Sequence, residues 1–455
     1  MWQRLALALF LVLGTLLSAS FTSPVFAQGI WSPEIVDPDS SDVDSYSSLA
    51  LDDTGNPHIA YAGLSGLRHA FRVGATWTTE TIDGLGGPYN DIQVDSQGDV
   101  HVSYRLAGPG GGSIRYAVRS GGVWMYEFVA DPGTVANSTP LALDSQELPR
   151  VAFRQVGPNR LWYAIRSAAS WSTEVVDTAG AVYSSLALDA TDAPRIAYHH
   201  TDGTLFQLRY AYKSGGVWTR EVVDIGGQWC SLALDAQGNP HVSYVGQALR
   251  MRYARKSAGV WTIEVVDTQI ANHATSIALD PLGNPSISYW TMNRLQYARK
   301  SGGVWVREIA NASSANVGTY SSLALDPLGR ASISCENAAN SDLIYVVRVG
   351  DSSAVGVELP AVPLGGELVV APNPARGGNT ELFLRLSHVT PVDVAIYDAA
   401  GRRIRTLASD VPDARALRLR WDGRDDAGRS AAPGIYLIRA DDGRQERTAR
   451  VVLVR

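Results

Sequence analysis

Short runs of alternating apolar and polar residues follow one another along most of this chain, and the same four runs recur about every 45 residues. One set reads "SLALD" (Ser231–Asp235), a turn, "PHVSY" (Pro240–Tyr244), a loop, "LRMRYARK" (Leu249–Lys256), a second turn and "WTIEVVD" (Trp261–Asp267). Alternation with period two places successive side chains on opposite faces of a strand. Four short strands per unit of this length predict a propeller blade.

Two markers count the units. A Trp–x–x–Glu strand starts at Trp31, Trp77, Trp124, Trp171, Trp218, Trp261 and Trp305, and "SLALD"-like strands end at Asp52, Asp95, Asp144, Asp189, Asp235, Asp280 and Asp326. The array opens on a Trp strand and closes after a "SLALD" set, so neither end is a whole unit. That offset suits a closed ring in which the first strand completes the last blade. The expected fold is all-β: a seven-bladed β-propeller over about residues 30 to 349, followed by a small Ig-like β-sandwich. The last blade would join Leu323–Asp326, a strand near Ser332, Leu343–Arg348 and Trp31–Asp37, the alternative outer strand being Val355–Leu359.

Features present in every unit read as scaffold. The D-x-x-G-N-P turn needs an Asp that accepts local backbone bonds and a Gly at positive φ, and one carboxylate per turn is too few oxygens for calcium. Large pairs such as Val242/Tyr244 and the third-strand tyrosines (Tyr116, Tyr163, Tyr210, Tyr253, Tyr297, Tyr345, with His69 in the first unit) read as packing between blades. The repeated Glu of the Trp strand reads as a guard against edge aggregation. His58, His101 and His241 share one position but would be spread around the ring, so no metal is expected there.

Function is expected where the units differ. The loops from an outer strand to the next inner strand, and from second to third strands, share one face and vary in sequence. Six residues before the marker Asp stand Tyr46, Tyr89, Tyr183, Trp229 and Tyr320, with Ser138 and Ala274 in the other two units. The second-to-third-strand loops add Arg105, Arg154, His199, His200, Trp290 and Glu336. Aromatic faces beside a few polar groups suit sugar rings, which present C–H patches and hydroxyls together. The alternative is that the rings only wedge between inner strands. Adjacent His199 and His200 read as solvated loop residues rather than metal ligands.

Composition narrows the partners. The net charge is −6 over 455 residues, which leaves no footprint for nucleic acid. Cys230 and Cys335 fall two blades apart and cannot pair within one ring. Arg4, the apolar Leu5 to Leu17 and Val25-Phe26-Ala27 read as a signal peptide over residues 1–27, cleaved before Gln28. That leaves no membrane span after cleavage, and places the protein as secreted or on the outer cell surface. The expected domains are then 28–350 for the propeller, 351–368 for a linker and 369–455 for the C-terminal module.

After Val369 the repeat is gone, and "APNPA" (Ala371–Ala375), "VDVAIYDAAGRRIRTL" (Val392–Leu407), "WDGRDDAGRSAAPGIYLIRA" (Trp421–Ala440) and "ARVVLVR" follow in order. These motifs resemble the Ig-like C-terminal domain of many secreted bacterial proteins, related to the flagellar hook-cap Ig-like module and to type IX secretion sorting domains. The resemblance implies contact with secretion machinery, and release or attachment at the cell surface, or a plain stalk. "WDGRDDAG" reads as a structural corner. The Ser-Gly-Gly-Val-Trp turn loosely resembles the repeated turn of sialidase-type propellers but lacks its Asp. Arg105, Arg154 and Glu336 would be part of such an enzyme's set, which uses three arginines and a Tyr–Glu pair.

The chain thus reads as an exported or surface protein that recognises a glycan or surface polymer. The alternatives are a sialidase-like hydrolase and a structural interaction propeller. No catalytic residue, metal or cofactor is assigned.

Overall fold

The computed structural model describes residues 30–37, 43–63, 65–74, 76–106, 112–130, 138–156, 159–168, 170–201, 206–311, 316–339, 341–349, 367–371, 375–376, 380–398, 401–441, 443–444 and 446–454. The signal-peptide reading and the alternative closing strand Val355–Leu359 lie outside them. No helix among the described residues is long and apolar enough to cross a membrane.

Seven four-stranded antiparallel blades form the propeller. Blade 1 is Val43–Leu51, Pro57–Gly63, Gly66–Val73 and Thr76–Asp83; blade 2 is Gly86–Val94, Val100–Leu106, Ser113–Ser120 and Val123–Ala130. Blade 3 is Leu141–Leu143, Pro149–Gln155, Arg160–Arg166 and Trp171–Asp177. A single long strand, Val217–Leu234, is outermost in blade 4 (after Ala181–Leu188, Pro194–Thr201 and Phe206–Ser214) and innermost in blade 5 (before Pro240–Gly246, Arg250–Ser257 and Val260–Ile270). Blade 6 is Ser276–Leu279, Pro285–Thr291, Arg294–Ser301 and Val304–Ile309. Blade 7 takes Val317–Leu325, Ala331–Asn337 and Asp342–Val349, and its outer strand is Ile30–Asp37, paired from Ile30↔Val349 to Asp37↔Leu343. The first strand closes the ring, as the phase offset predicts.

The Trp–x–x–Glu repeat is the fastener between blades. In all seven junctions the indole N–H of one blade donates to the Glu of the preceding blade at 2.8 to 3.2 Å, from Trp77 onto Glu34 round to Trp31 onto Glu308. An Arg or Lys of the donating blade's third strand (Arg72, Arg119, Arg166, Lys213, Lys256, Lys300, Arg348) pairs with the same Glu. The indole also meets the third-strand Tyr, or His69, edge-on at 5.1 to 5.7 Å between centroids. The repeated Glu is therefore not an edge guard, as its strand position suggests, but a shared acceptor. A T-shaped pair and a charge-assisted hydrogen bond each add to the area buried.

Second-strand tyrosines tie the blades again, Tyr61, Tyr104, Tyr198, Tyr244 and Tyr289 donating to Asp37, Asp83, Asp177, Asp224 and Asp267 of the preceding blade's outer strand. On the turn face each marker Asp accepts backbone N–H groups from two and four residues on, as in Asp235 with Gln237 and Asn239. His101 and His241 bridge that Asp to a third-strand Tyr, and His58 meets His69 instead. Cys230 and Cys335 are free and buried, and burial pushes the Cys230 thiol up to about 12.

The C-terminal module is a separate β-sheet unit ordered Glu367–Ala371, Thr380–Asp398, Gly434–Asp441, Glu446–Val454 and Ala375–Arg376, with Arg403–Trp421 paired to Thr380–Asp398. Trp421 is 0% exposed at its centre, edge-on to Tyr436, and its indole N–H holds the Arg424 carbonyl at 2.8 Å. The Asp- and Gly-rich corner is thus pinned from beneath by its Trp.

Candidate functional site

The inner-strand aromatic residues touch in sequence from blade to blade around the channel mouth. Each sits at a bulge where its inner strand loses register with the second strand, between Asp44 and Ser47, Gly86 and Asn90, Ala181 and Ser184, Gln228 and Ser231, and Thr319 and Ser322. Tyr89, Trp229 and Tyr320 have φ of 66°, 48° and 51°. Left-handed backbone at a bulky residue costs on the order of 1–3 kcal/mol and persists only where its surroundings enforce it. Side chains of neighbouring blades also hold the backbone of three of the bulges, that of left-handed Tyr89 among them. Asn90 reaches the Tyr46 carbonyl, Thr139 the Tyr89 carbonyl and Cys230 the Tyr183 carbonyl.

The bulges turn the rings toward one another. Tyr89 and Tyr46 lie 4.3 Å apart between centroids, Tyr46 and Tyr320 4.2 Å, Tyr320 and His273 5.4 Å, His273 and Trp229 6.5 Å, and Trp229 and Tyr183 5.6 Å. The six rings make an unbroken arc over six blades, and all are half-buried. His273 is the member the sequence pattern misses, because the aligned position holds Ala274 and the ring comes from the residue before it. Trp290 extends the arc outward, edge-on to His273 at 4.8 Å.

The arc is open at blade 3, where Ser138 replaces the aromatic and is bonded to Ser184 at 3.0 Å. The inner strands differ there too. In blades 1, 4, 5, 6 and 7 an inner-strand Ser accepts the next blade's backbone N–H, as Ser322 does for Leu49 and Ser185 for Leu232. Blade 2 has Asp91 in that place, accepting from Leu141 N, Ile92 N and the Ser48 hydroxyl at 2.7 to 2.9 Å.

Burial lifts the Asp91 carboxyl from 3.8 to about 6 in spite of those donors. The folded state then keeps the proton to a higher pH than the unfolded chain. The stabilisation this gives is complete below about pH 4 and is lost as pH rises through about 6. Relative to Asp91→Asn, the wild type should lose up to about 3 kcal/mol between about pH 4 and 7. Urea unfolding across that range measures it, and a difference that does not change with pH contradicts it.

The second-strand residues fall into one register around the same mouth. Arg105, Arg154, His199, Trp290 and Glu336 occupy equivalent places in blades 2, 3, 4, 6 and 7. His199 is 4% exposed and stacks between Tyr183 at 6.4 Å and Phe206 at 5.4 Å. Neither of its ring nitrogens has a hydrogen-bond partner among the described residues, and Trp290 Nε1 is likewise unbonded. Burial, with help from His200 and Arg154, depresses His199 to about 4, so the ring is neutral at pH 7 and offers one donor and one acceptor. Burial pushes the Tyr46 hydroxyl up, as do hydrogen bonds with Tyr89 and Tyr320. Burial also raises that of Tyr183, against a bond from Trp229.

Strand alternation separates the two adjacent histidines. His200 turns away from the mouth, with Nδ1 3.9 Å from Asp177. Arg105 is half-buried over Gly112. Glu336 accepts from Thr319 at 2.9 Å, and Arg154 is held by Asn159. The structure thus joins Tyr46, Tyr89, Tyr183, Trp229, Tyr320, Trp290 and His199 in one aromatic surface and puts His200 outside it. Two open recesses lie elsewhere, beside Asp398 and Tyr436 and beside Asp267 and Trp305, and are lined by ion pairs such as Asp398–Arg402 and Asp267–Arg307.

A family model described as the FlgD Ig-like domain matches residues 377–446. No curated protein matches the chain. Among solved structures it is similar to PorZ of Porphyromonas gingivalis, described as an essential bacterial surface component of the type-IX secretion system. That likeness has 15% identity over 91% of this chain and 60% of that one, with a TM-score of 0.47, so this chain spans less than two thirds of PorZ. It is also similar to a fungal alcohol oxidase in complex with copper (11% identity, 94% of this chain and 100% of that one, TM-score 0.50). A third is the fucose-specific lectin from Aleuria aurantia (14%, 59% and 96%, TM-score 0.43). At these identities the likeness concerns the fold alone.

Proposed function

We propose that this is an exported or cell-surface recognition protein that binds a glycan or a similarly hydroxylated surface polymer across the aromatic arc. One observation carries the reading. Half-exposed rings continuous over six blades flank a buried imidazole, His199, whose two nitrogens are unbonded within the described structure. Buried polar groups are nearly always hydrogen-bonded, so an unmet imidazole against the Tyr183 ring sets this part of the mouth apart from the rest of the scaffold. A sugar suits such a rim, with C–H faces for the rings and hydroxyls for the polar side chains that share its register, Arg105, Arg154 and Glu336. The test is a glycan-array screen of the full chain beside the Tyr183→Ala/Trp229→Ala variant. Binding that the double change abolishes, with the far-ultraviolet circular dichroism unchanged, supports the reading; a screen without hits ends it.

The C-terminal module, from about residue 369, serves in this reading for sorting or surface attachment after cleavage of residues 1–27. Removing Val369–Arg455 is expected to leave the propeller inside the cell envelope. Normal amounts of the truncated protein in the medium would sink the sorting role and leave a stalk.

A further inference from the structure

We infer, on the basis of that glycan reading, that the ligand is acidic, with a carboxylate or sulfate seated over blades 2 to 4, where the aromatic arc is open and Arg154 stands.

The placement follows from register. Arg105, Arg154 and His199 hold the same position in three successive blades, and Arg154 is the middle one. Ser138, at the gap in the arc, belongs to its own blade. A cation therefore stands where the ring of aromatic faces is interrupted.

Arg154 differs from the repeat cations in its partner. At the seven fasteners every Arg or Lys faces a Glu. At the mouth ends of the third strands, Arg68, Arg209 and Arg252 face Asp37, Asp177 and Asp224. Arg154 is half-buried, and Nε and Nη2 both donate to the neutral side-chain oxygen of Asn159, at 2.9 and 2.5 Å. Asn159 is itself left-handed, at φ 59°. Among the described residues no carboxylate pairs with it. A half-buried cation without a counter-ion is costly unless an anion comes from elsewhere. Desolvation already weakens its hold on its proton. Bidentate recognition of a planar or tetrahedral anion is what a guanidinium does well. The Tyr183 and His199 rings beside it would receive the sugar that carries the charge.

The test is a screen of the full chain against matched pairs that differ only in charge, namely oligogalacturonate with its methyl ester, and sulfated with unsulfated galactan. The acidic member of a pair should bind, and its neutral partner at least about tenfold more weakly. Arg154→Ala should weaken acidic binding about ten- to a hundredfold and remove the preference for the acidic member, and Arg154→Lys should keep part of it. The two pairs separate carboxylate from sulfate. If acidic and neutral members bind alike, or Arg154→Ala leaves acidic binding intact, the acidic assignment is overturned. Loss of that shared binding in Tyr183→Ala/Trp229→Ala would then leave the glycan reading standing. If no glycan of either kind binds in this or the wider screen, both fall together.

Discussion

Glu308→Ala should destabilise the protein by about 3–5 kcal/mol, while Glu34→Ala, the same change one junction further on, should cost about 1 kcal/mol. Both glutamates accept one indole and a third-strand guanidinium, and Glu308 also has Arg299 at 3.8 Å, but that longer contact is not the main difference. Burial is. Glu308 and Arg348 have side chains 3% exposed each, whereas Glu34 and Arg72 are 34% and 24% exposed. Removing Glu308 strips a buried guanidinium of its carboxylate, bonded at 3.0 and 2.7 Å, and leaves the Trp31 indole without its acceptor. At Glu34, water can replace what is lost. Denaturant unfolding of both variants measures the difference, and equal losses would mean that junction burial does not set the strength of the ring.

The second large effect is on binding. Tyr183→Ala/Trp229→Ala should lower glycan affinity on the order of a thousandfold, taking about 2 kcal/mol for each ring. For a weak lectin that lies beyond detection. The two rings lie 5.6 Å apart, and with them goes the stacked support of His199. The fold should survive, because the fasteners and the inner-strand Ser bonds lie elsewhere. Both rings are only half-buried. Trp229 also sits in the left-handed region, so part of what its packing contributes is spent on holding it there. Titration of an array hit, with circular dichroism as control, reads both quantities. Undiminished affinity would move the site off the arc.

Much of the scaffold was legible because it repeats. The phase offset between the Trp and "SLALD" strands gives the blade number and the closing strand. The aromatic position is visible because five of seven units fill it. What the sequence hides are relations between units. The role of each Glu depends on a Trp 40 to 44 residues further on, or on Glu308 meeting Trp31 277 residues away. His273 escapes because it replaces the missing ring one residue out of register. The two histidines look equivalent in a loop, yet they lie on a strand whose alternation sends His199 to the mouth and His200 to Asp177. The aromatic φ angles and the unbonded imidazole are consequences of packing, which no local pattern records.

The closing pair Ile30↔Val349 also fixes an order of events. As the chain is made, its earliest described strand has no hydrogen-bonding neighbour until nearly the whole ring has followed it. Blades 1 to 6 can each pair their own strands as they emerge, but blade 7 must wait for a segment at the far end of the sequence. Contacts so distant form late and slowly. Until they form, the polypeptide is an open arc with two unsatisfied edges, and the finished ring is a single event that comes last.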